Sequence, residues 1–321
     1  AGGDSLYVED VFSTYLYDGT ATTQVITNGL DLDGEGGMVW FKNRTAADQN
    51  CVYDTERGAG KVLFTDTTGA QLTNTGSKVD FNTDGFDTGT SYGGSENGTG
   101  KSICSWSFRK APGFFDVVTY TGNGTAGRTL AHSLGSAPGF VMIKRTNTSN
   151  NWIGWHRALT NTQYIQLNST AAAGADGGIF WNSTTPDADN ITLGSDSGVN
   201  GSGSTYIAYI FAHDAQVFGA GGDESIIKCG SFTFQYNQPN EIDVGFEPQW
   251  ILYKAVGMVD NWNLLDTMRG WTVEKDNWLY ANTSGAEGSN FDLMNPTSTG
   301  FKVNDGSYGQ EYIYIAIRRP M

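Results

Sequence analysis

Short apolar runs alternate with polar, glycine-rich turns along the whole chain, and the runs are the length of β-strands rather than helices. Three runs share one form: Met38-Val-Trp-Phe-Lys42, Val141-Met-Ile-Lys144 and Trp250-Ile-Leu-Tyr-Lys254. Each ends in lysine, and the lysines recur about every hundred residues. A second block follows each of them. Asn50-Cys-Val-Tyr-Asp54-Thr-Glu-Arg57-Gly58 matches Asn261-Trp-Asn-Leu-Leu-Asp266-Thr-Met-Arg269-Gly270, and the middle copy reads Asn151-Trp-Ile-Gly-Trp-His156-Arg157. In this alignment Trp152 and Trp262 fall on Cys51. Each copy closes with an aromatic strand: Ile103-Cys-Ser-Trp-Ser-Phe108, Tyr206-Ile-Ala-Tyr-Ile-Phe211 and Tyr312-Ile-Tyr-Ile-Ala-Ile317. About six to eight short strands per copy at turn spacing predict an all-β chain of three tandem β-sandwich or jelly-roll-like units with little helix. Breaks at Ala111-Pro-Gly113 and Phe218-Gly-Ala-Gly-Gly222 divide it into units 1–113, 114–224 and 225–321. One short helical turn is expected between Asn261 and Arg269, where Asp, Thr and Arg can cap it.

Composition sharpens this picture. Glycine numbers 43 of 321 residues and proline only 7, as tight turns at positive φ require. Aromatics make up 13% of the chain, which argues for packed cores against disorder. The net charge of −15, with scattered Lys and Arg, argues against nucleic acid, whose binding rests on neutralised phosphates. No apolar run approaches the ~18–20 residues of a membrane span, so membrane insertion is not expected. Three cysteines without CxxC spacing read as buried small apolar residues. The chain begins at Ala1 without Met, which reads as processed or cut from a longer chain.

Residues repeated in every unit are expected to serve the unit. Lys42, Lys144 and Lys254 close a core strand, and Asp54 with Arg57 and Asp266 with Arg269 are spaced to pin a loop through an Asp–Arg pair. The alternative is a repeated contact with an anionic sugar or a neighbouring chain. Trp155, Trp271 and above all Trp181, which stands in a polar stretch, are the candidate stacking platforms for a glycan or receptor. Asp31, Asp33 and Glu35, in an acidic glycine-rich loop, are the candidate Ca²⁺ ligands, although their spacing falls short of an EF-hand. No other cofactor is expected. The three histidines, His132, His156 and His213, form no zinc motif. No nucleophile elbow occurs, and the acid pairs Glu241 with Asp243 and Asp84 with Asp87 read as solvated loop charges rather than a glycosidase pair. An enzyme is therefore not expected.

Several strings resemble a repeat family of unknown function found in virion-associated and tail-fibre-like proteins of marine bacteriophages, including phages of cyanobacteria and Pelagibacter. They include Val11-Phe-Ser-Thr-Tyr-Leu-Tyr17, Gly34-Glu-Gly-Gly-Met-Val-Trp40, Ser105-Trp-Ser-Phe-Arg-Lys-Ala-Pro112, Phe115-Asp-Val-Val-Thr-Tyr-Thr-Gly-Asn-Gly124 and Tyr312-Ile-Tyr-Ile-Ala-Ile-Arg-Arg-Pro-Met321. The resemblance spans essentially the whole chain. It implies a place on a phage particle or appendage, and a non-enzymatic structural role among other virion proteins, as capsid decoration, capsid fibre or tail-fibre module. A receptor- or glycan-binding adhesin meeting a host-surface glycan or protein is the alternative, and a polysaccharide depolymerase a third reading. By analogy with phage fibres, a homotrimer is expected.

Overall fold

The computed structural model describes residues 5–73, 78–90 and 95–320. Three six-stranded antiparallel sheets follow one another along the chain, all with the same strand order. In the first, Phe12–Asp18 pairs with Ser102–Arg109, which pairs with Gly37–Asn43, followed by Cys51–Asp54, Lys61–Phe64 and Leu72–Thr73. The second runs Phe115–Thr121, Thr205–Ala212, Pro138–Arg145, Ile153–His156, Gln163–Gln166 and Gly174–Ala175. The third runs Ile227–Thr233, Glu311–Arg318, Pro248–Ala255, Asn263–Asp266, Asp276–Tyr280 and Gly288–Phe291. The aromatic closing strand of each unit thus lies between its opening strand and its lysine-bearing strand. Each closure brings together strands from opposite ends of a unit: Phe12 faces Phe108, Phe115 faces Phe211 and Ile227 faces Ile317.

A smaller sheet covers one face of each large one and completes a sandwich. It has three strands in the first unit (Gln24–Thr27, Gly85–Thr88, Val79–Asn82) and in the third (Glu241–Asp243, Gly300–Val303, Met294–Thr297), but two in the second (Arg128–Ala131, Asn190–Leu193). In the first unit Ile26, Val79 and Phe86 of the small sheet pack on Val39, Phe41, Tyr53 and Ile103 of the large one. The chain is thus nearly all β. Its helical content among the described residues is two 3-10 turns. One of them, Thr267–Arg269, lies within the expected segment, with Asp266 accepting from the Arg269 amide and Gly270 in the left-handed conformation.

The opposite face of each large sheet is also buried, because the three units close on one another. Every residue of Gly37–Asn43 and of Pro248–Ala255 is buried. Such strands cannot alternate apolar and polar residues, which explains their continuous apolar runs. Trp40, Trp106 and Phe108 of the first unit, Phe140, Tyr209 and Phe211 of the second, and Trp250, Leu264 and Ile315 of the third share one core. Phe108 packs edge-on against both Phe211 and Trp250, joining all three units.

Candidate functional site

The repeated residues lie where units meet, and their contacts run in a closed cycle. Lys42 Nζ of the first unit donates to the Thr283 carbonyl of the third at 2.7 Å. Lys144 donates to the Thr68 carbonyl of the first at 2.9 Å, and Lys254 to the Thr170 carbonyl of the second at 3.0 Å. Backbone clasps repeat the cycle: the Gln71 amide donates to Thr146, Ala173 to Val256 and Glu287 to Arg44. Burial lowers all three lysines from the ordinary value of 10.5 to about 8.

Strand register corrects the alignment of the tryptophans. Ile153, not Trp152, occupies the register position of Cys51, each facing a strand residue at the same place (Gln166 and Phe64). Trp152 and Trp262 therefore correspond to Asn50. Trp152 Nε1 donates to the Phe64 carbonyl and Trp262 Nε1 to the Gln166 carbonyl, both at 2.9 Å. Asn50 Nδ2 reaches the corresponding carbonyl of Tyr280 at 3.3 Å and Ala281 at 2.8 Å. The small Asn50 leaves room beside the two indoles of its own sheet, Trp40 and Trp106, which line the same narrow internal gap. The matching residues of the other units are the smaller Met142 with Tyr209 and Leu252 with Ile315.

A third ring of contacts is keyed from unit to unit. Arg57 Nε donates to Asp54 Oδ2 at 2.6 Å, and Tyr209 of the second unit donates its hydroxyl proton to the same oxygen at 2.6 Å. Arg269 Nε donates to Asp266 Oδ2 at 2.6 Å, and Trp106 Nε1 of the first unit donates to that oxygen at 2.9 Å. In the second unit His156 takes the place of the aspartates, facing Phe140 as Asp54 faces Met38 and Asp266 faces Trp250. Its neighbour presents Ile315, which has no donor, and His156 Nε2 instead meets the Tyr314 carbonyl at 3.0 Å. Burial depresses His156 to about 3. For Arg57, burial opposes the charge, but Asp54 and Tyr209 outweigh it and hold the guanidinium above its ordinary value.

The proposed tryptophan platforms need correction. Trp181, Trp155 and Trp271 are 0%, 2% and 1% exposed, so none offers a face to a ligand in solution. Trp155 lies in the core of its unit, and Trp271 donates to the Met294 carbonyl at 2.6 Å. In the second unit a series of turns, not a strand, precedes Asn190–Leu193. Asn182 and Ser183 take positive φ there, and Phe180 and Trp181 fold into the core. The polar sequence around Trp181 is the turn that buries it. Asp31, Asp33 and Glu35 are likewise not gathered: Asp31 Oδ1 accepts from the Gly34 amide of its own loop, and no metal-holding cluster of three His, Cys, Asp or Glu side chains occurs among the described residues. Glu241 and Asp243 are exposed on a small-sheet strand, and Asp87 accepts from Asn82.

Two surfaces that the sequence motifs did not single out are open. A groove of about 440 Å³ runs between the first and second units, lined by Glu56, Lys61, Gln71, Thr119, Thr146 and Tyr206. The other is the tip of the third unit. There Tyr236 and Tyr308, each 60% exposed, stack with ring centroids 5.3 Å apart and planes 15° apart. Phe234 packs edge-on against Tyr236 at 5.6 Å. The signal was Phe234-Gln-Tyr236 just past the opening strand, where the other units carry Gly19-Thr-Ala21 and Gly122-Asn-Gly124.

The architecture defines a class: a ring of three β-sandwich units whose conspicuous repeated side chains hold the ring together. Residues 8–319 match the family described as Domain of unknown function (DUF7483), and the chain belongs to that family. No curated protein and no solved structure gives a significant match.

Proposed function

We propose that the chain is a non-enzymatic module of a bacteriophage virion, a rigid body held at the particle surface or on an appendage by contacts with other virion proteins. The resemblance of its sequence strings to virion-associated phage proteins supports the setting. The observation that carries the mode of action is the closed cycle of unit contacts. It commits Lys42, Lys144, Lys254, Asp54, Arg57, Asp266 and Arg269 to internal bonds and leaves loops as the working surface. An assembly of three such chains, as in phage fibres, would be a trimer of rings.

The test is particle composition. Particles purified from a lysate carrying this gene are analysed by mass spectrometry and labelled with antibody against the chain. The chain is expected in the particle at structural copy number, with label on its surface. Its absence from particles, together with free chain in the lysate, would overturn the reading. A second reading, an attachment protein for host-surface glycans, is favoured by the exposed tyrosine pair.

A further inference from the structure

We infer that the tip of the third unit is a binding site for a neutral saccharide, with Tyr236 and Tyr308 as its stacking platform; this deepens the attachment reading and rests on it. Units of one construction allow a direct comparison. At the tips of the first two units, Gly19 and Gly122 lie so close to the facing backbone that a Cβ would stand 2.2 Å from the Gly98 carbonyl oxygen and 2.3 Å from that of Gly201. In the third unit the order is reversed. Phe234 stands at this place and a glycine, Gly306, lies against its ring. Two residues on, Ala21 and Gly124 give way to Tyr236. The fold closes its tip twice without these rings, so they are not required for closure.

The rings are held in place rather than loosely displayed. Asn240 accepts from the Gln235 amide at 3.0 Å and donates to the Gln235 carbonyl at 2.8 Å, which closes the loop carrying Tyr236. Asn237 and Asn240 both take positive φ, a conformation asparagine tolerates. On the other side the Gly309 amide donates to the Phe234 carbonyl at 2.8 Å, tying the Tyr308 turn to the same loop. Two rigid exposed rings thus meet at little conformational cost, the condition for a recognition surface.

Chemistry selects the ligand. The two rings stack on one another, so each offers its flat apolar outer face, backed by its partner, and such a face matches the C–H face of a pyranose; a cage for a cation would set its rings at angles around a centre. Gln235, Asn237 and Gln238 flank Tyr236 in its loop, and their side chains carry amides, groups that pair with sugar hydroxyls. The exposed charges of the third unit's neighbouring segments, Glu241, Asp305 and Glu311, are acidic, the half-buried Lys302 stands opposite Glu241 in the strand register, and the chain carries −15 overall, a balance that disfavours anionic glycans.

The full chain is tested by saturation-transfer NMR against neutral hexasaccharides of glucose, mannose and N-acetylglucosamine, with a hexauronate and a lysine hexapeptide alongside. Transfer to ring C–H protons of a neutral hexasaccharide is expected, weakened roughly tenfold or more in Tyr236→Ala and Tyr308→Ala, whose thermal midpoints stay near that of the parent. Transfer undiminished in both variants, no transfer to any neutral sugar, or binding confined to the hexauronate or the lysine peptide would each overturn the inference. The same proteins, labelled and applied to host cells, separate the two levels: saturable binding that survives both substitutions rejects the tip and keeps attachment, whereas no binding by the parent rejects attachment itself.

Discussion

The buried lysines show what repetition means at the scale of a residue. Each is removed from water; Lys144 and Lys254 donate to carbonyls on both sides of a boundary between units, and Lys42 donates to a carbonyl on the far side. Their pKa of about 8 in the fold, against 10.5 for an exposed lysine, sets a testable sign. Between those values the unfolded chain binds more protons, so the lysines' contribution to stability rises as pH climbs through 8 toward 10.5 and is least below 8. Comparing urea unfolding of Lys144→Met with the parent between pH 8 and 9 should show a slope shallower by about 1 kcal/mol per pH unit in the variant. Equal slopes would mean that Lys144 is not desolvated. His156 gives the acid-side counterpart. Its pKa falls from 6.5 to about 3 on folding, so its contribution is complete above 6.5 and is lost as pH falls toward 3. His156→Gln should therefore lose about 1 kcal/mol per pH unit less than the parent between pH 6 and 4, a difference that urea titrations at the two pH values would read. The lysines were legible in the sequence as repeated strand ends. By sequence alone Trp152 falls on Cys51, because an asparagine precedes each of Cys51, Trp152 and Trp262, and only strand register shows that Asn50 itself stands at the tryptophan position.

At the scale of the element, strands were legible and their partners were not. Period, turns and repetition gave three like units, but nothing local tells the Asp54–Arg57 turn that it will meet Tyr209 of the next unit. Continuous apolar runs, such as Tyr206–Phe211, are the sequence trace of strands covered on both faces. The keyed boundary predicts unequal costs. Tyr209→Phe removes one donor from Asp54 while Arg57 remains, and should cost about 1–2 kcal/mol. Asp54→Ala leaves Arg57 buried without its partner and should cost about 3–5 kcal/mol. A double-mutant cycle of the two by chemical denaturation should show coupling of about 0.5–3 kcal/mol, and strict additivity would mean the hydroxyl and the carboxylate do not meet. The tip tyrosines are not legible in the sequence for a related reason. Tyr236 and Tyr308 lie in different loops, and neither belongs to a repeated block, so only the fold brings them together.

For the whole molecule, ring closure means that three sandwiches share one core between them and none is a separate bead. Trp106 tests it well, since it belongs to the first unit, packs against Trp40 of its own sheet and donates to Asp266 of the third. Scanning calorimetry of the parent and of Trp106→Ala is the most direct measurement. Shared packing predicts one cooperative transition in the parent, with calorimetric and van't Hoff enthalpies equal, and one transition again in the variant, destabilised by roughly 3–5 kcal/mol. Separate transitions in the parent, with the substitution shifting only one of them, would contradict the closed ring and return the chain to three independent units.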